Sequence, residues 1–202
     1  MDEEIEFEKD WLSVEKLEFK MLTLITVLAD NHLAYRGTLT DMCEFFGIQS
    51  RDSRTNSKIR TAIKNLEEKG WIKTLLDGRT WTLTLSRSAE HKSKVIKIKR
   101  DWVNAVRSYK GESVDWSAVL KVWLFLIDNR KDIIKSSEIG KALGISESAV
   151  SRARRVLIDI NAIKVDKVCK KAPSGQILCL GSTVTCIIYP RLAQAHPEVQ
   201  RA

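Results

Sequence analysis

In the second half of the chain, apolar residues recur at helical spacing through three successive stretches. The first stretch, residues 116–128, places four apolar side chains on one face, namely Val119, Val122, Trp123 and Leu126. This spacing predicts a helix. Ser136 or Ser137 is predicted to cap a short second helix, and Ser146 a third, because serine oxygens accept hydrogen bonds from the first amides of a helix.

A β-hairpin is predicted after the third helix. Asn161 ends that helix at about Ile160, because asparagine tolerates a left-handed backbone. The runs Ile163–Cys169 and Ile177–Leu180 are β-rich, and the turn sequence Ala-Pro-Ser-Gly lies between them. Val184–Tyr189 is predicted to add a further strand.

The first half of the chain repeats this order. Helices are predicted over Trp11–Tyr35, Asp41–Phe46 and Ser53–Lys69. Thr40 is the predicted cap of the second helix, Gly47 its end, and Gly70 the end of the third. Asp77-Gly78, between two β-rich runs, is a strong hairpin signal.

The two halves align when the first is moved forward by 91 residues. The shift superposes Ile59 on Val150, Ala62 on Ala153, Leu66 on Leu157 and Ile72 on Ile163. The turn glycines Gly47 and Gly144 lie 97 residues apart instead, so the first copy carries six extra residues, most simply Gln49–Arg54. Arg154 also stands where the first copy has Ile63. One domain type is therefore predicted to occur twice.

The motifs TDMCEFFGI, IRTAIKNLEEKGWI and DGRTWTLTL, and in the second copy SSEIGKALGISESAVSRARRVLIDINAI, resemble the winged-helix DNA-binding domains of bacterial regulators and replication proteins. The resemblance covers about three quarters of the chain. The tandem arrangement is similar to that of plasmid replication initiators, in which two winged helices read successive grooves. It is also similar to the tandem winged-helix subunit that binds the kleisin of prokaryotic chromosome-segregation complexes, where the domains bind protein.

The predicted fold class is mainly α with small β-hairpins (α+β), arranged as two tandem winged-helix domains. The predicted divisions are domain one at 11–86, a basic connector at 87–114, domain two at 115–190 and a C-terminal tail at 191–202. Within the connector, Val95–Arg100 is predicted to be extended and Asp101–Tyr109 helical, so the connector is expected to be partly ordered.

The net charge of +8 is unevenly distributed. Residues 1–18 hold eight acids and two lysines, a net charge of −6, whereas 19–100 and 101–202 carry +8 and +6. Basic halves suit a polyanionic partner. The acidic start is expected to be a solvated leader, the alternative being that it folds onto a basic surface. The connector's basic cluster, Lys92, Lys94, Lys97, Lys99 and Arg100, either follows a phosphate backbone or is simply solvated; the second interpretation is slightly favoured.

Both predicted recognition helices have an exposed polar face that is rich in basic and neutral residues. The candidate DNA-binding residues there are Asn56, Ser57, Arg60, Thr61 and Lys64 in the first copy, and Ser148, Ser151, Arg152 and Arg155 in the second. Arginine and asparagine can bond base edges with two hydrogen bonds, and serine suits phosphates. A solvated helix face would also be polar, but it normally mixes both signs of charge. The second face also carries Glu147, but no Asp or Glu occurs from Asn56 to Lys64 or from Ser148 to Ile158, which favours groove contact.

The hairpins supply a second set of candidates. Arg79 stands at the tip of the first, and Lys170 and Lys171 lie near the tip of the second. Long cations on a projecting hairpin reach phosphates or a narrow minor groove. Cations on exposed strand edges also prevent the edges from pairing with other strands. DNA contact and edge protection are equally favoured interpretations of these residues.

No pattern points to catalysis, a metal or a cofactor. The three histidines are scattered, and the four cysteines lack metal-ligand spacing and are expected to fill the core. Core packing is also favoured for Trp71, Trp81, Trp116 and Trp123. There is no apolar run of about 18 residues and no secretory signal, so a cytoplasmic, non-enzymatic protein without a membrane contact is expected.

The leading hypothesis is a sequence-specific double-stranded DNA-binding protein, acting in transcription regulation or in replication initiation of a plasmid or mobile element. It would work as a monomer with two modules or as a homodimer. The rival is a non-enzymatic protein-interaction adaptor of the same fold. The second copy is expected to contact DNA in the way usual for a helix-turn-helix, since the first copy carries the insertion in the turn before its recognition helix.

Overall fold

A computed structural model of the chain describes residues 3–30, 34–48, 52–86, 94–111, 114–129, 134–171 and 177–186, with side chains as far as residue 166. The fold is mixed α+β. Two compact units are present, Met1–Arg100 and Asp101–Ala202. Each is described by itself below.

The first unit contains three helices and two small antiparallel sheets among its described residues. Its elements are β1 (Glu4–Glu8), a 3-10 helix (Lys9–Ser13), α1 (Lys16–Leu28), β2 (Ala34–Gly37), α2 (Leu39–Phe46), α3 (Ser53–Glu68), β3 (Ile72–Asp77), β4 (Thr80–Leu85) and β5 (Val95–Lys99). One sheet has the order β2-β4-β3, and β1 pairs with β5 in the other. The hairpin predicted around Asp77-Gly78 is confirmed.

The prediction of one helix over Trp11–Tyr35 is wrong. Val14 has extended backbone at the end of the 3-10 helix, and α1 stops before Ala29, which is again extended. The Asp30 carboxylate accepts a hydrogen bond from the Ala34 amide at 3.1 Å, which turns the chain into β2. Tyr35 therefore lies on a strand that pairs with β4.

The start of α2 differs from the prediction by two residues. Thr38, rather than Thr40, is the cap: its hydroxyl accepts from the Asp41 amide at 3.3 Å, and the Asp41 carboxylate accepts from the Thr38 amide at 2.7 Å. This reciprocal capping box satisfies two amides that no helical bond can reach. Gly47 ends the helix with φ +68°, as predicted.

The acidic start is part of the fold, so the expectation of a solvated leader is wrong for β1. Ile5 and Phe7 are buried, and the Phe7 ring contacts those of Trp11 and Phe19 at centroid distances of 6.0 and 6.4 Å. The strand alternates buried apolar and outward acidic residues. Because β-strand side chains alternate between faces, one face of β1 packs on the core while the other carries its charges.

The second unit has four helices followed by a hairpin among its described residues. They are α4 (Arg100–Ser108, which begins on the last residue of the first unit), α5 (Trp116–Asp128), α6 (Ser136–Leu143), α7 (Glu147–Asp159), β6 (Ile163–Lys171) and β7 (Ile177–Cys186). The core includes Trp102 and Trp123, whose rings lie 5.1 Å apart. The predicted separate strand at Val184 is, as far as Cys186, the continuation of β7. Ile187–Tyr189 and the tail lie outside the described residues.

The turn between the last two helices differs in the two units, as the alignment predicts. Five residues separate Gly47 from α3, whereas two separate Gly144 from α7. In addition, α3 has 16 residues and α7 has 13. The insertion therefore divides equally between a longer turn and about one extra helical turn at the start of α3. A Cβ on Gly140 of α6 would lie 2.7 Å from the carbonyl oxygen of Ile145 in the short turn, which explains the glycine.

Candidate nucleic-acid interface

The first candidate surface is the outer face of α3. Its inner face buries Ile59, Ala62, Ile63 and Leu66. The exposed residues on the opposite side include the predicted Ser57, Arg60, Thr61 and Lys64, and also Arg54 and Lys58, which the sequence analysis did not select. Asn56 is half-buried. Arg54 lies in the extra turn of α3, so the insertion adds a cation to this surface.

Three polar contacts join α3 to its neighbours. Glu18 of α1 is buried, and its carboxylate accepts from Asn65 Nδ2 at 3.1 Å and from Lys69 Nζ at 2.7 Å. In addition, the Glu67 carboxylate accepts from the Thr74 hydroxyl of β3 at 2.6 Å. These contacts set the direction in which α3 presents its outer face. A separate contact joins α1 to α2, where the Lys20 ammonium donates to the Phe46 carbonyl at 3.1 Å.

Replacing Lys69 by methionine is expected to lower the free energy of unfolding by about 2 kcal/mol, because it leaves the Glu18 carboxylate buried with only Asn65 as partner. The Glu18 side chain is 3% exposed, against 45% for Lys69. Glu18→Gln is expected to cost less, about 1 kcal/mol, because water then solvates the lysine. Urea unfolding followed by circular dichroism measures both.

Lys64→Met is the matched control on the same helix. The Lys64–Glu68 pair at 3.5 Å is exposed on both sides, so its loss is expected to change stability by less than about 0.5 kcal/mol. Equal losses for Lys69→Met and Lys64→Met would contradict the positioning role of Glu18.

The predicted residues of α3 differ in what they contact. The Thr61 hydroxyl donates to the Ser57 carbonyl at 3.0 Å, and Lys64 pairs with Glu68. The Arg60 guanidinium lies over the Trp81 ring, 5.7 Å from its centroid, a cation–π distance. Trp81 is half-exposed in β4, so the expectation of core packing does not describe it.

The hairpin residue Arg79 meets the α3 set at a cleft. An open cleft of about 360 Å³ lies between α3, the start of α2 and the β3–β4 turn. Its lining residues are Thr38, Leu39, Thr40, Arg60, Leu76, Gly78, Arg79 and Trp81. Among the described residues, neither arginine has a carboxylate within ion-pair distance. Two cations that the sequence placed on separate elements thus share one surface depression.

The second candidate surface is the outer face of α7. Ser146 caps the helix, as predicted: its hydroxyl accepts from the Ala149 amide at 3.2 Å. Val150, Ala153, Val156 and Leu157 face the core. Of the predicted residues, Ser148, Arg152 and Arg155 are exposed, and Ser151 is half-buried. The Ser148 hydroxyl lies 3.0 Å from that of Ser146, beside the cap.

Arg154 has a structural role that accounts for its departure from the repeat. Its guanidinium donates to the Ser136 hydroxyl and to the Ile134 carbonyl, both at 3.1 Å. Burial lowers the pKa of this guanidinium below its usual range. Arg154 therefore ties α7 to the start of α6, and the missing apolar residue is replaced by two hydrogen bonds.

The remaining basic candidates are distributed differently. Lys170 and Lys171 lie on β6, but their side chains fall outside the described residues. In the connector cluster, Lys97 pairs with Glu6 at 3.3 Å and Arg100 with Glu3 at 3.2 Å. Part of this positive charge is thus matched by the acidic start of the chain, in line with the alternative that the start folds onto a basic surface.

The described residues offer little chemistry besides these cationic surfaces. No group of three or more histidine, cysteine or acidic side chains within them is arranged to hold a metal ion. No helix in the described part of the chain has the length and apolar character needed to cross a membrane. The arrangement suits recognition of an extended anion, because cations are displayed on two helices and one hairpin turn.

No protein-family model, curated protein or solved structure matches the chain.

Proposed function

We propose that the chain is a sequence-specific double-stranded DNA-binding protein built from two winged-helix domains, acting as a transcription regulator or as a replication initiator of a plasmid or mobile element. The order of elements supports this in both units. Three helices and a hairpin follow each other in α1, α2, α3 and β3–β4, and again in α5, α6, α7 and β6–β7. In this fold the third helix enters the major groove and the hairpin contacts the backbone.

The observation that carries the proposal is the acid-free run of residues through the middle of α3 and of α7, where the exposed acids Glu147 and Asp159 stand only at the two ends of α7. No Asp or Glu occurs from Ser53 to Leu66, or from Ser148 to Ile158. The acids of α3 lie at its last turn, where Glu67 holds Thr74 and Glu68 pairs with Lys64. A surface that only has to be soluble can carry both acids and bases. A surface that faces phosphates binds them more tightly when it carries bases and no acids.

The two helices are proposed to contact DNA unequally. In α7 the turn is short, and the cap Ser146 and the exposed Glu147 precede the exposed Ser148, so we propose that this first turn approaches base edges. In α3 the extra helical turn at the start of the helix adds Arg54. Two modules on one chain are able to occupy two half-sites without dimerisation.

A second candidate is a protein-interaction adaptor of the same fold. It is favoured by the first hairpin, where Leu75 and Leu76 are 65% and 45% exposed. Large exposed apolar side chains mark protein contacts more often than phosphate contacts. The two candidates differ in how binding responds to salt.

A salt titration of the full chain against a random duplex tests the proposal. We expect submicromolar to micromolar binding at low salt that weakens by about 0.9 log units per log unit of salt for each phosphate contacted. Fluorescence anisotropy of a labelled duplex measures the slope. Selection from a randomised duplex pool then tests sequence preference. Absence of duplex binding at low salt would overturn the proposal and favour the adaptor.

A further inference from the structure

Two arginines line the cleft beside α3, and neither has an acidic partner in the part of the chain that the structure describes. Arg60 comes from the middle of the recognition helix and Arg79 from the β3–β4 turn. Like charges in one cleft repel each other, and that repulsion is relieved when an anion binds between them.

Arg60 is oriented toward the hairpin. Its guanidinium rests on Trp81 of β4, which lies on the cleft side of α3. Stacking on an aromatic ring restricts a long side chain while leaving its edge N–H groups available to an acceptor. This orientation favours a ligand located between helix and hairpin over a base edge in front of the helix.

The walls of the cleft suit a phosphodiester. Leu39 and Leu76 are apolar, as are parts of a deoxyribose, and Thr40 contributes a hydroxyl, whereas the Thr38 hydroxyl donates to the Asp41 carboxylate at 2.9 Å. Asp41 does not line the cleft, and its carboxylate is held by the Thr38 amide, a hydrogen bond that lowers its pKa. Asp77 precedes the turn and also lies outside the lining residues.

We propose that Arg60 and Arg79 together bind one phosphate group of the DNA backbone, with Trp81 as the support for Arg60. The inference rests on the proposed function, and it changes the role of Arg60 from a base reader to a phosphate ligand. The arrangement is confined to the first copy, because the residue aligned with Arg60 in α7 is Ser151. The two winged helices would therefore have different roles: the first would bind the phosphate backbone of the DNA, and the second would contact the edges of the bases.

The experiment uses the full chain and a duplex obtained by selection, together with a random duplex of equal length. Arg60→Ala and Arg79→Ala are each expected to weaken binding to both duplexes by the same factor, roughly tenfold, and to reduce the salt slope by about one. The double variant is expected to lose less than the product of the two, because both side chains bind the same phosphate. Lys16→Ala, which removes an exposed cation from the start of α1, is the charge-matched control and is expected to leave the slope unchanged.

A scan of single methylphosphonates locates the contact. Replacing one phosphate at a time by a neutral group should weaken wild-type binding at one position in particular, and Arg60→Ala should be insensitive at that position. Independent, multiplicative effects of Arg60→Ala and Arg79→Ala would overturn the shared phosphate. So would a change of base preference in Arg60→Ala at an unchanged salt slope, which is the result for a base reader.

Free phosphates form the second arm of the test. Inorganic phosphate and a nucleoside triphosphate are titrated against the intrinsic tryptophan fluorescence of wild type and Arg60→Ala. Saturable binding of either compound to wild type, lost in Arg60→Ala while duplex affinity is unchanged, would assign the cleft to a small phosphate and overturn the backbone contact. Failure of the wild type to bind any duplex would instead remove the proposed function itself. Thermal unfolding of each variant checks that these surface changes leave the fold intact.

Discussion

Replacing Arg152 and Arg155 together by alanine is expected to weaken the binding of the chain to its selected duplex by about a hundredfold. Both side chains are exposed on the outer face of α7, one turn apart and on the side opposite Val150, Ala153 and Leu157. A well-placed arginine contact to a base or phosphate contributes about 1–3 kcal/mol, and a loss of about 1.4 kcal/mol is tenfold in affinity. Two such losses give the expected factor.

The matched control removes two exposed lysines of the same unit, Lys110 and Lys135, which lie outside α7. Lys110→Ala with Lys135→Ala changes the net charge equally, so a purely nonspecific field effect would weaken binding in both double variants alike. The binding curves are measured with selected and random duplex at one salt concentration. If Arg152→Ala with Arg155→Ala binds as the wild type does, α7 is not part of the interface.

The Phe7→Ala variant is expected to lower the free energy of unfolding by about 4 kcal/mol, within the range found for truncating a buried phenylalanine. The Phe7 side chain is 0% exposed and packs against the rings of Trp11 and Phe19. Its removal leaves a cavity under the two-stranded sheet, because Phe7 lies within the β1–β5 pairing, opposite Ile96. Urea unfolding monitored by tryptophan fluorescence measures the loss.

Glu4→Ala is the control on the same strand, since Glu4 is exposed and is expected to change stability by less than about 0.5 kcal/mol. A solvated leader would give two equally stable variants. A large loss for Phe7→Ala alone establishes that the acidic start of the chain is a folding element of the first unit.

The elements that local patterns encode were predicted closely. Turn residues and caps act over three or four positions, so Gly47, Gly70, Asn161 and Ser146 end or begin helices where the sequence analysis expected. Two caps were misplaced within that local range, since Thr38 and not Thr40 caps α2, and Lys135 precedes α6 without a side-chain cap where Ser136 or Ser137 was predicted. Other boundaries failed where a partner distant in sequence decides the conformation. β2 lies within a stretch of apolar residues that reads as helix, and it becomes a strand because β4 pairs with it.

Side-chain roles show the same division. The outward residues of α3 and α7 follow from helical periodicity, and their exposure was predicted from it. The role of Arg154 was not predicted, because the two groups that accept its hydrogen bonds, on Ser136 and Ile134, lie 18 and 20 residues away in the sequence. The stacking of Arg60 on Trp81, the cleft that it shares with Arg79, and the burial of Glu18 beside Lys69 also depend on contacts between elements.

By itself, the sequence determined the repeat, the helical periods, the turns that end them, and the charge of the outer faces, since each of these is a property of neighbouring residues. Only the tertiary structure decided that the acidic start becomes a strand paired with the basic β5, and how the insertion divides between turn and helix. It also decided which cations are paired and which are open to an anion. The reason is physical: the pairing of charges depends on distances between elements, which packing sets and which no local pattern of residues contains.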